Sequence, residues 1–482
     1  MNPLTERARH MTRRRFLGTT ALTLGLPALH SLLGADALKT APLGLPGLPH
    51  FAPKAKRVIY MMQTGGPSHV DLFDDKPELR KQRGQDIPES VLGGLRLTTM
   101  TAGQKAKPCL PAAWGGSERG KCGMWVGNLL PHTAAIADDL CFIRSMHGEQ
   151  INHAPAVTHM LCGHNLPGRP SIGAWLTYGL GVESENLPGF VVLTSRDQEA
   201  SCGQFFYDFY WGAGFLPGKY QGVPFRGAGD PVLYLSNPDG MSRELRRTML
   251  DGLAEMNHFA HERYQDPEIP TRISQYEMAY QMQMSVPELT DLSSEPQSVL
   301  DLYGPDVQRK GSYAYNCLMA RRLAERGVRY VQLMHAGWDQ HGNLPTQLPI
   351  QCRDTDQPSA ALVTDLKARG LLDDTLVIWG GEFGRTPFVQ GDITNAKAHG
   401  RDHHPRAWTM WLAGGGVKRG HIHGASDDFA FHAVENPVHV HDLQATLMHL
   451  CGINHERFTY KFQGRNFRLT DVHGVVVKGI LA

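Results

Sequence analysis

The sequence predicts an α/β protein of three layers, α/β/α, built on a mostly parallel sheet with an inserted cap segment. Three observations predict it. Short apolar runs end in polar loops, helical stretches lie between those runs, and the polar loops hold the residues able to do chemistry. The chain of 482 residues, 41% hydrophobic and 20% charged, is long enough for two or three average domains or one large α/β domain with insertions. Its 48 Lys and Arg balance 47 Asp and Glu, which excludes an electrostatic nucleic-acid binder and an acidic disordered tail.

At the N-terminus, Thr12-Arg13-Arg14-Arg15-Phe16-Leu17-Gly18 precedes an uncharged stretch over 19–35, and together they resemble a twin-arginine export signal. Gly25, Pro27 and His30 interrupt that stretch, which favours a cleaved signal over a membrane anchor. Ala35-Asp36-Ala37 has the small-x-small pattern of a cleavage site, so residues 1–37 are expected to be removed. This places the mature protein in the periplasm or another extracytoplasmic space, without a membrane span. Residues 38–56, rich in Pro, Gly and Leu, read as a linker or strap, and 57–482 as the folded domain. The eight cysteines form no C-x-x-C pair and are too sparse for a disulfide scaffold, which leaves room for one or two disulfides after export and suits buried thiols for most.

Within the domain, Val58-Ile59-Tyr60-Met61-Met62 is a buried strand ending in the tight loop Thr64-Gly65-Gly66-Pro67. A second strand over 138–145 leads through a polar loop to a helix over 154–162. A helix over 314–326 then leads to a strand over 328–333 and a loop of His, Gly, Trp and Asp. The last unit pairs a helix over 359–370 with a strand over 375–379 and the loop Gly380-Gly381-Glu382. In such sheets ligands bind at the carboxyl ends of strands, where these loops fall. Between 187 and 301 the rhythm breaks: the run from Gln204 to Trp211 is dense in aromatics, and an amphipathic helix over 241–284 is interrupted by Pro267 and Pro270. This stretch reads as an insertion over one end of the sheet.

Histidine is the compositional outlier, with 24 residues of which thirteen lie between His335 and His473. Imidazole is a metal ligand and a proton carrier near neutral pH, so its clustering calls for a chemical explanation. In Gly65-Gly66-Pro67-Ser68-His69-Val70-Asp71, the turn lets His69 and Asp71 offer ligands. In Trp338-Asp339-Gln340-His341, Asp339 and His341 are close enough to share a cation. Glu382 stands as a carboxylate at a strand end, and Arg385 is placed to clamp an anion bidentately. In Gly400-Arg401-Asp402-His403-His404-Pro405, adjacent histidines on an extended chain point opposite ways, so one binds metal while the other binds substrate or packs. Asn152 and His153 precede Pro155 at a helix start, where the helix field favours an attacking group or an anionic ester. His421 and His423, and His439 and His441, share an i, i+2 spacing that puts each pair on one strand face, in surface or supporting roles.

Together these loops resemble the alkaline phosphatase and sulfatase superfamily, and more closely the exported proteins grouped as domain of unknown function 1501. The resemblance covers 54–482, and the tail Val440-His441-Asp442-Leu443 to Gly452 resembles the start of the last sulfatase helix. It implies a metal-dependent hydrolase of sulfate or phosphate esters holding one or two divalent cations. The ligands would be Asp71 or His69, Asp339 and His341, Glu382, and His403 or His404. His153, Asn152 and Arg385 would take the catalytic roles. Zinc suits the histidine-rich share of these ligands; calcium or magnesium would suit a carboxylate-dominated site. The substrate would be a small anionic ester or a sulfated or phosphorylated glycan. Where sulfatases place their nucleophile, this chain has His153-Ala154-Pro155-Ala156-Val157, with neither a Cys or Ser nor the Arg. That departure motivates an alternative, a non-catalytic metal- or anion-binding protein on the same fold recognising such glycans.

Overall fold

A strand apolar at five consecutive positions needs cover on both faces, and the computed structural model provides it at the centre of a nine-stranded sheet. The structure describes residues 44–482 except 95–96, 197–203, 228–229, 233–234, 267, 396 and 398. The expected signal over 1–37 lies outside the described residues, as do 38–43 of the expected linker and Cys202. The rest of that linker is a strap on the domain: Leu45 N–H donates to Gly179 O (2.9 Å), and Lys54 N–H to Leu450 O (2.8 Å).

The first half of the domain contains β1 (Arg57–Thr64), β2 (Leu140–His147), α1 (His153–Cys162), α2 (Ile172–Leu180), β3 (Phe190–Arg196), β4 (Val223–Phe225), α3 (Arg243–Tyr264) and α4 (Glu268–Thr290). The second contains α5 (Tyr313–Glu325), β5 (Tyr330–Ala336), α6 (Leu344–Ala368), β6 (Thr375–Gly380), β7 (Gly384–Arg385), β8 (His403–His404), β9 (Trp408–Ala413), β10 (His421–His423), β11 (Val438–His439) and α7 (Val440–Leu450). The sheet runs β10-β2-β9-β6-β1-β5-β3-β4, with β11 also beside β2. Every pairing in it is parallel except those of β9, which is antiparallel to both β2 and β6. Val58, Tyr60 and Met62 pack with Val157 of α1, Trp175 of α2 and Leu447 of α7 on one face. Ile59 and Met61 pack with Leu318 of α5 and Leu362 of α6 on the other, completing the three layers.

Two consequences position the site. Thr64 pairs with Ala336 and Met62 with Gly380, so the loops after β1, β5 and β6 emerge side by side where the chain order switches. Because β9 runs the other way, its N-terminal end reaches the same edge and brings the preceding ribbon of β7 and β8 with it.

Several expectations need correction. β3 and β4 lie within 187–301, yet they extend the sheet, with Phe190 to Arg196 pairing Tyr330 to Ala336. Pro224 is tolerated because β4 is the edge strand. Of that stretch, α3 and α4 stand off the sheet as a helical pair, with Met282, Val286 and Leu289 joining the core beside α5 and α6. Helix α6 begins fifteen residues before the expected Ser359, running through Pro349 and Pro358. Each proline removes a backbone donor, but the buried face of Leu344, Leu348, Cys352 and Leu362 holds the helix together. His439 and His441 do not share a strand face: His439 is the N-cap of α7 and His441 lies in its first turn.

Candidate metal centre

The loop after β1 needs glycine. Gly65 has φ 113°, and a Cβ there would lie 2.7 Å from the Asp339 amide nitrogen, so only glycine lets the β1 and β5 loops touch. That approach sets Asp339 and His341 at the strand edge. His403 arrives on β8, and His153 opens α1 just after the polar loop that follows β2.

Four side chains converge. Asp339 Oδ1 lies 2.9 Å from His341 Nε2, 3.1 Å from His153 Nε2 and 3.2 Å from His403 Nε2, while the His341 and His403 Nε2 atoms are 2.9 Å apart. One ligand atom from each residue lies within 4.8 Å of all the others. Their side chains are 7–17% exposed, so the cluster is nearly dry.

The surroundings fix the tautomers. His403 Nδ1 is 2.7 Å from Ile151 O, which only accepts, so the proton sits on Nδ1. His341 donates from Nδ1 to Gln390 Oε1 (2.6 Å), and His153 donates from Nδ1 to Glu382 Oε1 (2.6 Å). In the neutral rings all three Nε2 lone pairs therefore face one anionic oxygen and one another. Such an arrangement is repulsive unless a positive charge lies among them. Among the described residues, His153 Nε2 is buried with no hydrogen-bond partner and faces Asp339 Oδ1, as expected of a nitrogen aimed at a cation. Three imidazole nitrogens and one carboxylate oxygen match a tetrahedral zinc donor set, whose ligand atoms are separated by roughly 3.3 Å. The donors held from behind by Glu382, Gln390 and Ile151 O follow the pattern of oriented metal-binding histidines.

Protonation agrees with the geometry. Burial opposes charge on Asp339, but Arg385 and the three imidazoles outweigh it and hold the carboxyl far below the usual range. His403 is lowered, chiefly by burial and despite Asp339. For His153, burial works downward, while hydrogen bonds with Asp339 and Glu382 outweigh it and raise the pKa above its ordinary value.

The remaining residues predicted for the site are not brought to the cluster as donors. His69 Nε2 donates to Ala430 O (2.9 Å), and burial lowers its pKa. Asp71 accepts from Arg401 Nε (2.7 Å) and Nη2 (3.0 Å) and from Ser68 Oγ (2.6 Å) in a fully buried pair. His404 points away from His403, donates to Phe431 O and packs on the Phe431 ring. Glu382 stands behind His153 and also accepts from Gly65 N–H (2.9 Å). Arg385 is buried, and protein oxygens occupy its donors: Nε bonds Gly66 O, Nη1 bonds Arg401 O, and Nη2 bonds Gly65 O, Trp338 O and Asp339 Oδ1. It joins three loops, so it is not presented as an anion clamp. Asn152 is the exposed N-cap of α1, and its side chain makes no cap bond. Sequence reasoning missed Gln390, Ile151 O and Gln204, whose Nε2 donates to Asp339 Oδ2 (3.1 Å). No motif marks them; the one signal was the position of Gln204 at the head of the aromatic run.

The family described as "Protein of unknown function (DUF1501)" matches residues 55–481. The chain belongs to the DUF1501 family. No curated protein matches this DUF1501 chain. Among solved structures it is similar to Ps i-CgsB in complex with k-i-k-neocarrahexaose, at 10% identity over 83% of this chain and 72% of that one, TM-score 0.35. It is also similar to the PsFucS1 sulfatase from Pseudoalteromonas sp., at 12% identity over 84% and 68%, TM-score 0.32. A third is the alkaline phosphatase from the Antarctic bacterium TAB5, at 11% identity over 76% and 92%, TM-score 0.30.

Proposed function

We propose that this chain is a divalent-metal-dependent hydrolase of sulfate or phosphate esters, with His153, Asp339, His341 and His403 as the metal ligands. The observation that carries the metal dependence is the set of three oriented Nε2 atoms facing Asp339 Oδ1. The ester class rests on the resemblance of the loop motifs to the phosphatase and sulfatase superfamily. The nitrogen-rich donor set favours zinc over calcium or magnesium. Bound there, a divalent cation supplies Lewis acidity toward an ester oxygen.

The chain's own residues do the rest. Glu382, Gln390 and Ile151 O hold the three rings in place. The N-terminus of α1, ten residues long, presents backbone N–H groups and a favourable field to an anionic group, with the exposed Asn152 amide beside them. Thr158 Oγ1 is spent on Ala154 O (2.5 Å), so it does not serve as the nucleophile, and water is the attacking group in this reading. The substrate would be a small anionic ester or a sulfated or phosphorylated glycan, met after export by the N-terminal signal.

The missing hydroxyl or thiol at His153-Ala154-Pro155 favours the second reading, a metal-dependent binder without turnover. Metal-reconstituted protein assayed on aryl sulfates, phosphates and phosphodiesters separates the two. Turnover that disappears in His341→Ala supports the hydrolase; no turnover above that variant on any panel, with metal still bound, leaves the binder.

A further inference from the structure

Glu149, His159, His439 and His441 form a second cluster, and its proton network is legible from one glutamine. Gln444 Nε2 donates to His159 O (2.7 Å) and Met160 O (3.0 Å), so its Oε1 is the atom facing His441 Nδ1 at 3.0 Å and must accept from it. The neutral His441 ring then has a bare Nε2, which lies 3.2 Å from His159 Nε2. His159 therefore donates from Nε2, and its lone pair is on Nδ1. Burial keeps both rings neutral, lowering His159 to about 3 and His441 to about 4. Glu149 is lowered to about 2, first by its hydrogen bond with His439, and is fully ionised.

The bare His159 Nδ1 thus faces the Glu149 carboxylate at 3.9 Å, too far for a hydrogen bond and wide enough for a cation between them. His439 Nε2 lies 2.7 Å from the other Glu149 oxygen. One ligand atom each from Glu149, His159 and His439 falls within 4.8 Å of the others. His153 and His159 are six residues apart on α1, about 9 Å along its axis, so this cluster is separate from the first.

We infer that Glu149, His159 and His439 form a second site for a divalent transition metal, with Gln444 and His441 fixing the His159 ring. Two imidazoles and one carboxylate suit zinc, cobalt or nickel rather than magnesium or calcium. The exposed Glu149 leaves coordination positions to water. Binding requires one internal rearrangement. His439 Nδ1 now accepts from His441 N–H (3.2 Å), so its proton is on Nε2; as the metal takes Nε2, that proton moves to Nδ1 and the long cap bond is given up. Helix α7 keeps its other cap, in which Asp442 accepts from His439 N–H (3.0 Å).

The test is cobalt(II) titration of chelator-treated, dialysed full-length protein, followed by visible absorption and by metal content after gel filtration. Wild type should take up about two equivalents, Glu149→Gln and His439→Gln about one each, and His341→Ala about one with the second site's spectrum intact. Glu149 is exposed, so its variant leaves the fold alone, and circular dichroism checks His439→Gln. The inference is overturned if Glu149→Gln and His439→Gln bind as much cobalt as wild type, or if His341→Ala binds none. Loss in the Glu149 and His439 variants with no change in His341→Ala would uphold this site and sink the first one.

Discussion

Replacing Glu382 by Gln isolates the support behind the proposed metal ligand His153. Glutamine keeps an oxygen able to accept from His153 Nδ1 and Gly65 N–H, now 2.6 and 2.9 Å from Glu382 Oε1, so shape and both contacts survive while the charge is lost. A hydrogen bond to a charged acceptor is worth about 1.5–3 kcal/mol and a neutral one about 0.5–1.5 kcal/mol, a difference of about 1–1.5 kcal/mol. Metal affinity should therefore fall by about tenfold, the lower end of what loss of an outer-sphere partner costs. The metal-free protein should also lose about 1 kcal/mol, because its bond from His153 Nδ1 is no longer made to a charged acceptor. Zinc competition against a chromophoric chelator reads the first effect, and thermal melts with and without chelator read the second. A Kd for the His341 site within about twofold of wild type would refute the role assigned to Glu382, provided that His341→Ala loses one metal equivalent in the same assay.

The remaining predictions address charge, pH and packing. Breaking the buried pair by Asp71→Ala leaves the Arg401 guanidinium without its carboxylate and should destabilise the fold by about 3–5 kcal/mol in denaturant titration, with one metal equivalent still bound at His341 if the protein is refolded. His404, lowered to about 3 by burial, stays neutral in the fold but is protonated in the unfolded chain below about 6.5. Its contribution is present in full above pH 6.5 and is lost as pH falls toward 3, about 2 kcal/mol by pH 5. His404→Phe should flatten the acid limb of stability against pH; an unchanged limb would count against this account. His153 runs the other way without metal: its raised pKa gives stability that is present below pH 6.5 and lost as pH rises through the raised value, so a chelated sample of His153→Gln should lack that decline. Gly65→Ala, forced against the Asp339 amide, should weaken metal binding more than it shifts the melting temperature, a ratio that parallel titration and melts would expose.

Much of the architecture was legible because continuous apolar runs bounded by polar loops signal strands buried on both faces. Arg57–Thr64, Thr375–Gly380 and the loops after them appear where the pattern places them. Helix α6 was half hidden because Pro349 and Pro358 oppose helix locally, and only packing against the core reverses that preference. At the candidate site, sequence position singled out Asp339, His341, His153 and the His403 and His404 pair, but not which of them the fold brings together. Asp71 and Arg385 carry the right chemistry at the right strand ends, and tertiary partners claim them: Arg401 binds Asp71, and carbonyls of three loops occupy Arg385. Ile151 supports His403 through a backbone carbonyl, a role no side-chain pattern reveals.

The reversed strand β9 has a consequence for how the molecule comes apart. Because it delivers His403 to the edge already holding Asp339, His341 and His153, a cation held by those four would tie together chain positions 250 residues apart, from 153 to 403. Such a clasp acts as a reversible cross-link: it restricts the unfolded chain and must release before β2 and β9 can separate from the strands around β1. The same ion would then set the lifetime of the folded molecule as well as its chemistry, and chelation should hasten unfolding more than any single ligand's packing explains.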